Sequence, residues 1–199
     1  MAPVLGAGAA VALEPSFDCS KAGGSAEEAV CASDALASMD LELARLYSAA
    51  ANGPNMTPER LSELKAMQRG WIKGRDECWK DGDGLESCVA AEYGMRIFDL
   101  RQGYSDARAD EGASTGPFAY VCDGVEGAIS AVFINTNDPM AVLHWGERVI
   151  TMPQVPAASG VHYRGDWLGE TANFWTKGDE ASFAPSGEIG VGCVMDETG

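Results

Sequence analysis

Between Ser25 and Tyr104 the apolar residues recur at helical spacing, and beyond residue 116 the period drops to two. Ser25 with Glu28 forms a capping-box pattern, and Leu36, Met39, Leu43, Leu46 and Tyr47 then fall on one stripe of a helix ending near Ala51. Asn52-Gly53-Pro54 stops it. Thr57 and Pro58 supply an N-cap and a first-turn proline for a second helix, whose stripe of Leu61, Leu64, Met67, Trp71 and Ile72 runs toward Trp79. The turn Asp81-Gly82-Asp83-Gly84 leads into a third helix, with Leu85, Val89, Tyr93, Ile97, Leu100 and Tyr104 facing inward. Residues 105–116 are polar, small and aperiodic, and read as a linker.

The second half predicts eight short strands: Phe118 to Cys122, Ile129 to Asn135, Ala141 to Trp145, Arg148 to Val155, Gly160 to Arg164, Ala172 to Trp175, Ala181 to Ala184 and Ile189 to Met195. Turn signals separate them, among them Asn137-Asp138-Pro139, Gly165-Asp166 and Pro185-Ser186-Gly187. That many short antiparallel strands in so few residues suggest a small closed barrel or a sandwich. The fold class is therefore α+β in two domains, a three-helix domain over residues 15–104 and a β domain over residues 117–199, joined by the linker.

Six cysteines show no CxxC and no Cys/His pair at zinc spacing, so disulfides and an oxidising compartment are the better reading. Short loops make consecutive helices antiparallel, which would gather Cys31, Cys78 and Cys88 at one end of the bundle, with Cys19 entering from the same end. We favour Cys31 with Cys78 and Cys19 with Cys88, although four cysteines allow three connectivities. Cys122 in the first strand and Cys193 in the last would clasp the ends of the sheet. Residues 1–14 are rich in Ala, Gly and Val, and Ala10-Val11-Ala12 fits a signal-peptidase site. No basic residue precedes Lys21, so the segment is either a signal-peptide remnant or a small-residue tail. A periplasmic or secreted location follows from the cysteines and this segment together.

Thirty acidic residues against fourteen basic ones leave a net charge of −16, which argues against a nucleic-acid partner, because phosphate recognition needs a Lys/Arg surface. A charged partner should be basic. No apolar run approaches the length of an integral membrane segment.

Little in the chain suggests catalysis. It has no GxSxG elbow, no HExxH and no glycine-rich phosphate loop, and no spacing singles out a carboxylate pair. His144 and His162 sit in alternating strands, where packing or local hydrogen bonding is the ordinary role. Asp81, Asp83 and Glu86 lack the twelve-residue calcium-loop pattern, and Asn55-Met56-Thr57 matches a glycosylation triplet whose threonine already caps a helix. The expectation is a chain that is not an enzyme and needs no cofactor or metal.

Two segments of the β half stand out. They are Ser159-Gly160-x-x-Tyr163 and Phe174-Trp175-Thr176-Lys177-Gly178-Asp179-Glu180-Ala181. Lys177 is one of three basic residues after the linker, with Arg148 and Arg164, against eleven acidic ones. Together with Tyr120-Val121-Cys122 and the terminal Cys193, and in this order, the segments resemble the MliC/PliC family of bacterial inhibitors of c-type lysozyme. The resemblance covers about Phe118 to Met195 and implies a small antiparallel β-barrel closed by one disulfide. It places the family's inhibitory serine on Ser159 and its inhibitory lysine on Lys177, with Tyr163 supporting the first loop and Gly160 and Gly178 letting both loop backbones approach a narrow cleft. The stretch Arg164-Gly165-Asp166-Trp167-Leu168-Gly169 is longer than the family pattern and should extend a hairpin.

The helical half also has a relative. Phe17-Asp18-Cys19, Cys31, Gln68-x-x-Trp71-x-x-x-Arg75-Asp76-x-Cys78, Cys88 and Tyr93-x-x-Arg96 resemble the LprI-type domain, a cysteine-stabilised helical module of bacterial envelope proteins that is itself associated with lysozyme inhibition. The match spans roughly Pro15 to Tyr104. The two resemblances imply a protein partner, c-type lysozyme, which is basic. The alternative is an envelope binding or scaffold module for another basic partner.

Overall fold

The computed structural model describes residues 12–82, 84–109, 112–187 and 189–196, and of Trp167 the backbone alone. Most of the segment read as a signal remnant, residues 1–11, and Asp83 lie outside the described residues. The helical region runs α1 (Ser25–Ala32), α2 (Asp34–Asn52), α3 (Pro58–Asp76), α4 (Leu85–Gly103) and α5 (Ser105–Ala109). It is followed by β1 (Ser114–Cys122), β2 (Ala128–Ile134), β3 (Met140–Trp145), β4 (Arg148–Val155), β5 (Val161–Trp167), β6 (Glu170–Lys177), β7 (Glu180–Ala184) and β8 (Val191–Asp196). Each strand pairs antiparallel with the next and β1 pairs with β8, which closes an eight-stranded barrel.

Where one long first helix was expected, the chain breaks at Ser33. This residue is extended, and its hydroxyl accepts from the Leu36 amide at 3.4 Å, so it ends α1 and caps α2. The expected Ser25–Glu28 capping box does not form: Gly24 is the N-cap of α1, and the Glu27 carboxylate instead accepts from the Gly23 amide at 2.8 Å. Thr57 caps α3 as predicted, with Pro58 in its first turn.

The break at Ser33 also explains the disulfides. Cys31 stands in the last turn of a short helix rather than at the start of a long one, and it bonds Cys19, not Cys78. Cys78 bonds Cys88 across the turn from α3 to α4, so the expected Cys31–Cys78 and Cys19–Cys88 pairs are replaced by two local loops of 12 and 10 residues. Loops of that size are worth about 3 kcal/mol each in the chain-entropy treatment, less than the loop between Cys122 and Cys193, which are bonded across β1 and β8.

The aperiodic stretch 105–116 does not act as a spacer. Its first residues form α5, whose Ala107 is fully buried, and residues 114–116 already belong to β1. Polar contacts make the difference: Asp106 accepts from the Asn55 amide and side chain at 3.1 and 2.7 Å, and Arg108 donates to the Arg101 and Gln102 carbonyls at the end of α4.

The barrel is filled by inward residues such as Tyr120, Ile129, Leu143, Met152, Phe174 and Phe183. Its outer face is not all solvated. Val132, Ile134, Met140 and Val142 point the other way and join the core of the helical region, with α4 lying across β1 to β4. Gly94 marks the closest approach: a Cβ there would meet Met140 Sδ at 2.8 Å and Val142 at 3.3 Å. Phe98 of α4 stacks on His144 with ring centroids 3.9 Å apart, and burial lowers the His144 pKa.

Candidate functional site

Strands β5 and β6 are antiparallel neighbours in register, with Val161 opposite Thr176 and His162 opposite Trp175. The connection before β5 (156–160) and the turn after β6 (178–179) therefore lie at the same barrel end, side by side. Ser159 and Lys177, eighteen residues apart in the chain, sit on these two loops, and both are exposed. Gly160 holds φ at 66° and packs tightly against β6: a Cβ on it would stand 2.3 Å from the Thr176 carbonyl oxygen and 3.4 Å from the Lys177 Cβ. Gly178, at φ 63°, opens the two-residue turn that Lys177 and Glu180 close, and the Asp179 carbonyl accepts from the Met195 amide at 2.8 Å, tying the turn to β8.

Ser159, Gly160, Lys177 and Gly178 are thus brought together. Tyr163 is not. It is 3 % exposed, lies inside the barrel 5.5 Å from the Phe133 ring, and its hydroxyl is pushed up to about 12, by burial first and by Tyr120 second. Strand alternation turns position 163 inward. It can hold up the start of β5 from beneath but cannot touch a partner.

Alternation puts Lys177, Trp175 and Asn173 on the outer face of β6. Trp175 is 41 % exposed, stacks on His162 with centroids 5.1 Å apart, and donates its indole N–H to the Ser159 carbonyl at 2.8 Å. Asn173 Oδ1 lies 2.9 Å from His162 Nε2 and accepts from Arg164 Nε at 3.2 Å, while its amide nitrogen donates to the Gly187 carbonyl. Among the described residues Lys177 has no carboxylate within 4.0 Å, although Asp179 and Glu180 follow it in sequence. Sequence reasoning placed Trp175 beside Lys177 without giving it a task; the signal was the alternation that sets 175 and 177 on one face. The stretch after Arg164 forms the far end of the β5–β6 hairpin. Its tip is Leu168-Gly169, both at positive φ, at the barrel end away from Ser159 and Lys177.

In the helical region the motif residues form an internal polar network. Tyr93 OH donates to Asp40 at 2.9 Å and accepts from Arg75 at 3.3 Å; burial, then Asp40, raises the Tyr93 pKa. Arg75 also pairs with Asp76 and Glu27 and lies over the Trp71 ring. Trp71 donates to the Glu92 carbonyl, and Arg96 donates to Gln68. These residues build the bundle rather than a surface. A second network joins the halves: Glu42 takes both a bidentate contact from Arg45 at 2.8 Å and hydrogen bonds from the Ser114 hydroxyl and Ala113 amide, and Arg101 donates to the Gly116 carbonyl at 2.7 Å.

The described residues contain no group of three or more His, Cys, Asp or Glu placed to hold a metal, and no helix long and apolar enough to cross a membrane. Two families match the chain. Residues 19–114 match the family described as lysozyme inhibitor LprI, and residues 120–191 match the family described as membrane-bound lysozyme inhibitor of c-type lysozyme, MliC. The first match reaches past α5 to the start of β1, beyond the boundary at Tyr104 read from periodicity. The second contains both loops. No curated protein matches the chain.

Proposed function

The chain couples an LprI-family region to an MliC-family region, and from that pairing we propose that it is a protein inhibitor of c-type lysozyme, acting in the bacterial envelope by placing Ser159 and Lys177 in the enzyme's active-site cleft. The observation that carries the reading is the juxtaposition of two short exposed loops, one bearing a lysine with no ion pair among the described residues, at one end of a closed barrel.

The chemistry follows from the target. A glycosidase cleft holds a general acid and a second carboxyl group that acts as nucleophile or stabiliser. An ammonium about 4 Å from an ionised carboxylate gains roughly 4 kcal/mol at an effective dielectric of about 20, before desolvation is subtracted. Lys177 occupies that role. Ser159 offers a compact donor and acceptor for a second polar group, and the two glycines keep the loop backbones slim enough to enter. Inhibition of this kind asks no chemistry of the inhibitor.

Lys177→Ala in the full chain weakens inhibition of a c-type lysozyme at least tenfold in a lysis assay, and leaves the far-ultraviolet spectrum and melting temperature unchanged, because the side chain is exposed. Ser159→Ala acts in the same direction with a smaller loss. Undiminished inhibition by the Lys177→Ala chain removes this site from the mechanism.

A further inference from the structure

Apart from the seat of Gly160 against β6, the loop carrying Ser159 has little to hold it. The β4–β5 ladder ends at the pair Val155 with His162, so the five residues Pro156 to Gly160 extend beyond it. The sequence Pro-Ala-Ala-Ser-Gly offers no large side chain to anchor them. Loops of that composition sample many conformations, and ordering one on binding subtracts from affinity.

One side chain of the neighbouring strand reaches back over the loop. The Trp175 indole N–H donates to the Ser159 carbonyl at 2.8 Å, and the same nitrogen lies 3.0 Å from where a Gly160 Cβ would stand. The ring is itself fixed from the other side, stacked on His162 at 5.1 Å with planes 15° apart, and His162 is held by Asn173 at 2.9 Å. Lys177 is two residues further along the same strand and face. The two loops are therefore set at a defined separation by a bracket of three side chains running Asn173, His162, Trp175, with the Ser159 carbonyl at its end.

Resting on the inhibitor reading above, we propose that Trp175 is a positioning residue for the Ser159 loop: its indole N–H presets the serine relative to Lys177, so that both enter the cleft without a further ordering cost. The large exposed aromatic beside the site then contributes chiefly through the backbone it holds.

The test is a double-mutant cycle on the full chain, read as the inhibition constant against a c-type lysozyme. Trp175→Phe keeps a ring over His162 and removes the donor. It should weaken inhibition about three- to tenfold, the equivalent of one hydrogen bond, and by less than twofold when Ser159 is already alanine. Gly160→Ala provides a second variant that deletes no functional group. Its Cβ collides with the Thr176 carbonyl, pushes the loop off β6, and should show the same dependence on Ser159. An equal loss from Trp175→Phe in both backgrounds means that the indole touches the enzyme directly and overturns the positioning role, as does the absence of any loss from both variants. A Ser159→Ala chain that inhibits like the parent overturns it too. Lys177→Ala, measured alongside, separates the two readings: a loss there with none for Trp175→Phe or Gly160→Ala defeats the bracket alone, and no loss there defeats the inhibitory site.

Discussion

Gly160 and Gly178 hold nearly the same positive φ, yet a side chain would meet different surroundings at each. At Gly178 nothing lies within 4 Å of an added Cβ, so alanine suffers only the backbone penalty, about 1 to 2 kcal/mol. At Gly160 the same penalty is joined by a collision with backbone. Thermal melts should therefore rank Gly160→Ala below Gly178→Ala, both below the parent; an equal drop would mean that the Ser159 loop is not seated on β6. The sequence made both glycines visible as loop residues and, through the family resemblance, made Ser159 and Lys177 visible as the candidate pair. The same resemblance grouped Tyr163 with them as a support for the first loop, and strand alternation sends it into the barrel. The Trp175–Ser159 contact was not readable, because it depends on the β5–β6 register, which no local pattern states.

At the scale of elements, regular alternation made the eight strands legible to within a few residues at most ends. Those of β2 and β3 that face the helices did not announce that the barrel's outside would be covered. The helix break at Ser33 was written only in a Ser-Asp pair inside a continuous apolar stripe, and missing it led to the wrong disulfide pairs. Residues 105–116 looked like a spacer because their anchoring is polar. The Glu42 network shows how such a segment is fixed, and it is titratable. Burial pushes Glu42 up, but hydrogen bonds from Arg45 and Ser114 outweigh it and hold the carboxyl below its ordinary value. A group whose native pKa is depressed stabilises the fold above its unfolded pKa, and that stabilisation is lost as pH falls through the native value. Glu42→Gln should thus cost about 1.5 to 3 kcal/mol near neutrality. The gap in melting temperature from the parent should narrow as the pH drops below the usual glutamate range. A gap that stays constant with pH would show that the carboxylate's charge contributes nothing at this seam.

For the whole molecule, the net charge of −16 surrounds a small cationic point. On the inhibitor reading proposed above, such a field would draw a basic partner in from a distance, and the short-range fit would fall to Lys177 and the loops. On that reading the barrel must hold the loops in place, and α4 packs against it on β1 to β4. Because Val132, Ile134, Met140 and Val142 share a core with α1, α2 and α4, neither half can be cut away without exposing an apolar face. The full chain should therefore melt in one calorimetric transition, with calorimetric and van't Hoff enthalpies equal. Gly94→Val overpacks the contact of α4 with β3 and should lower stability by about 1 to 3 kcal/mol. Inhibition measured well below the melting temperature should stay unchanged, since α4 packs chiefly on β1 to β4 and the two loops flank β5 and β6. Two separate transitions would show that the shared face does not couple the halves. A fall in inhibition that tracks the loss of stability would show instead that the helices shape the loops as well as support the barrel.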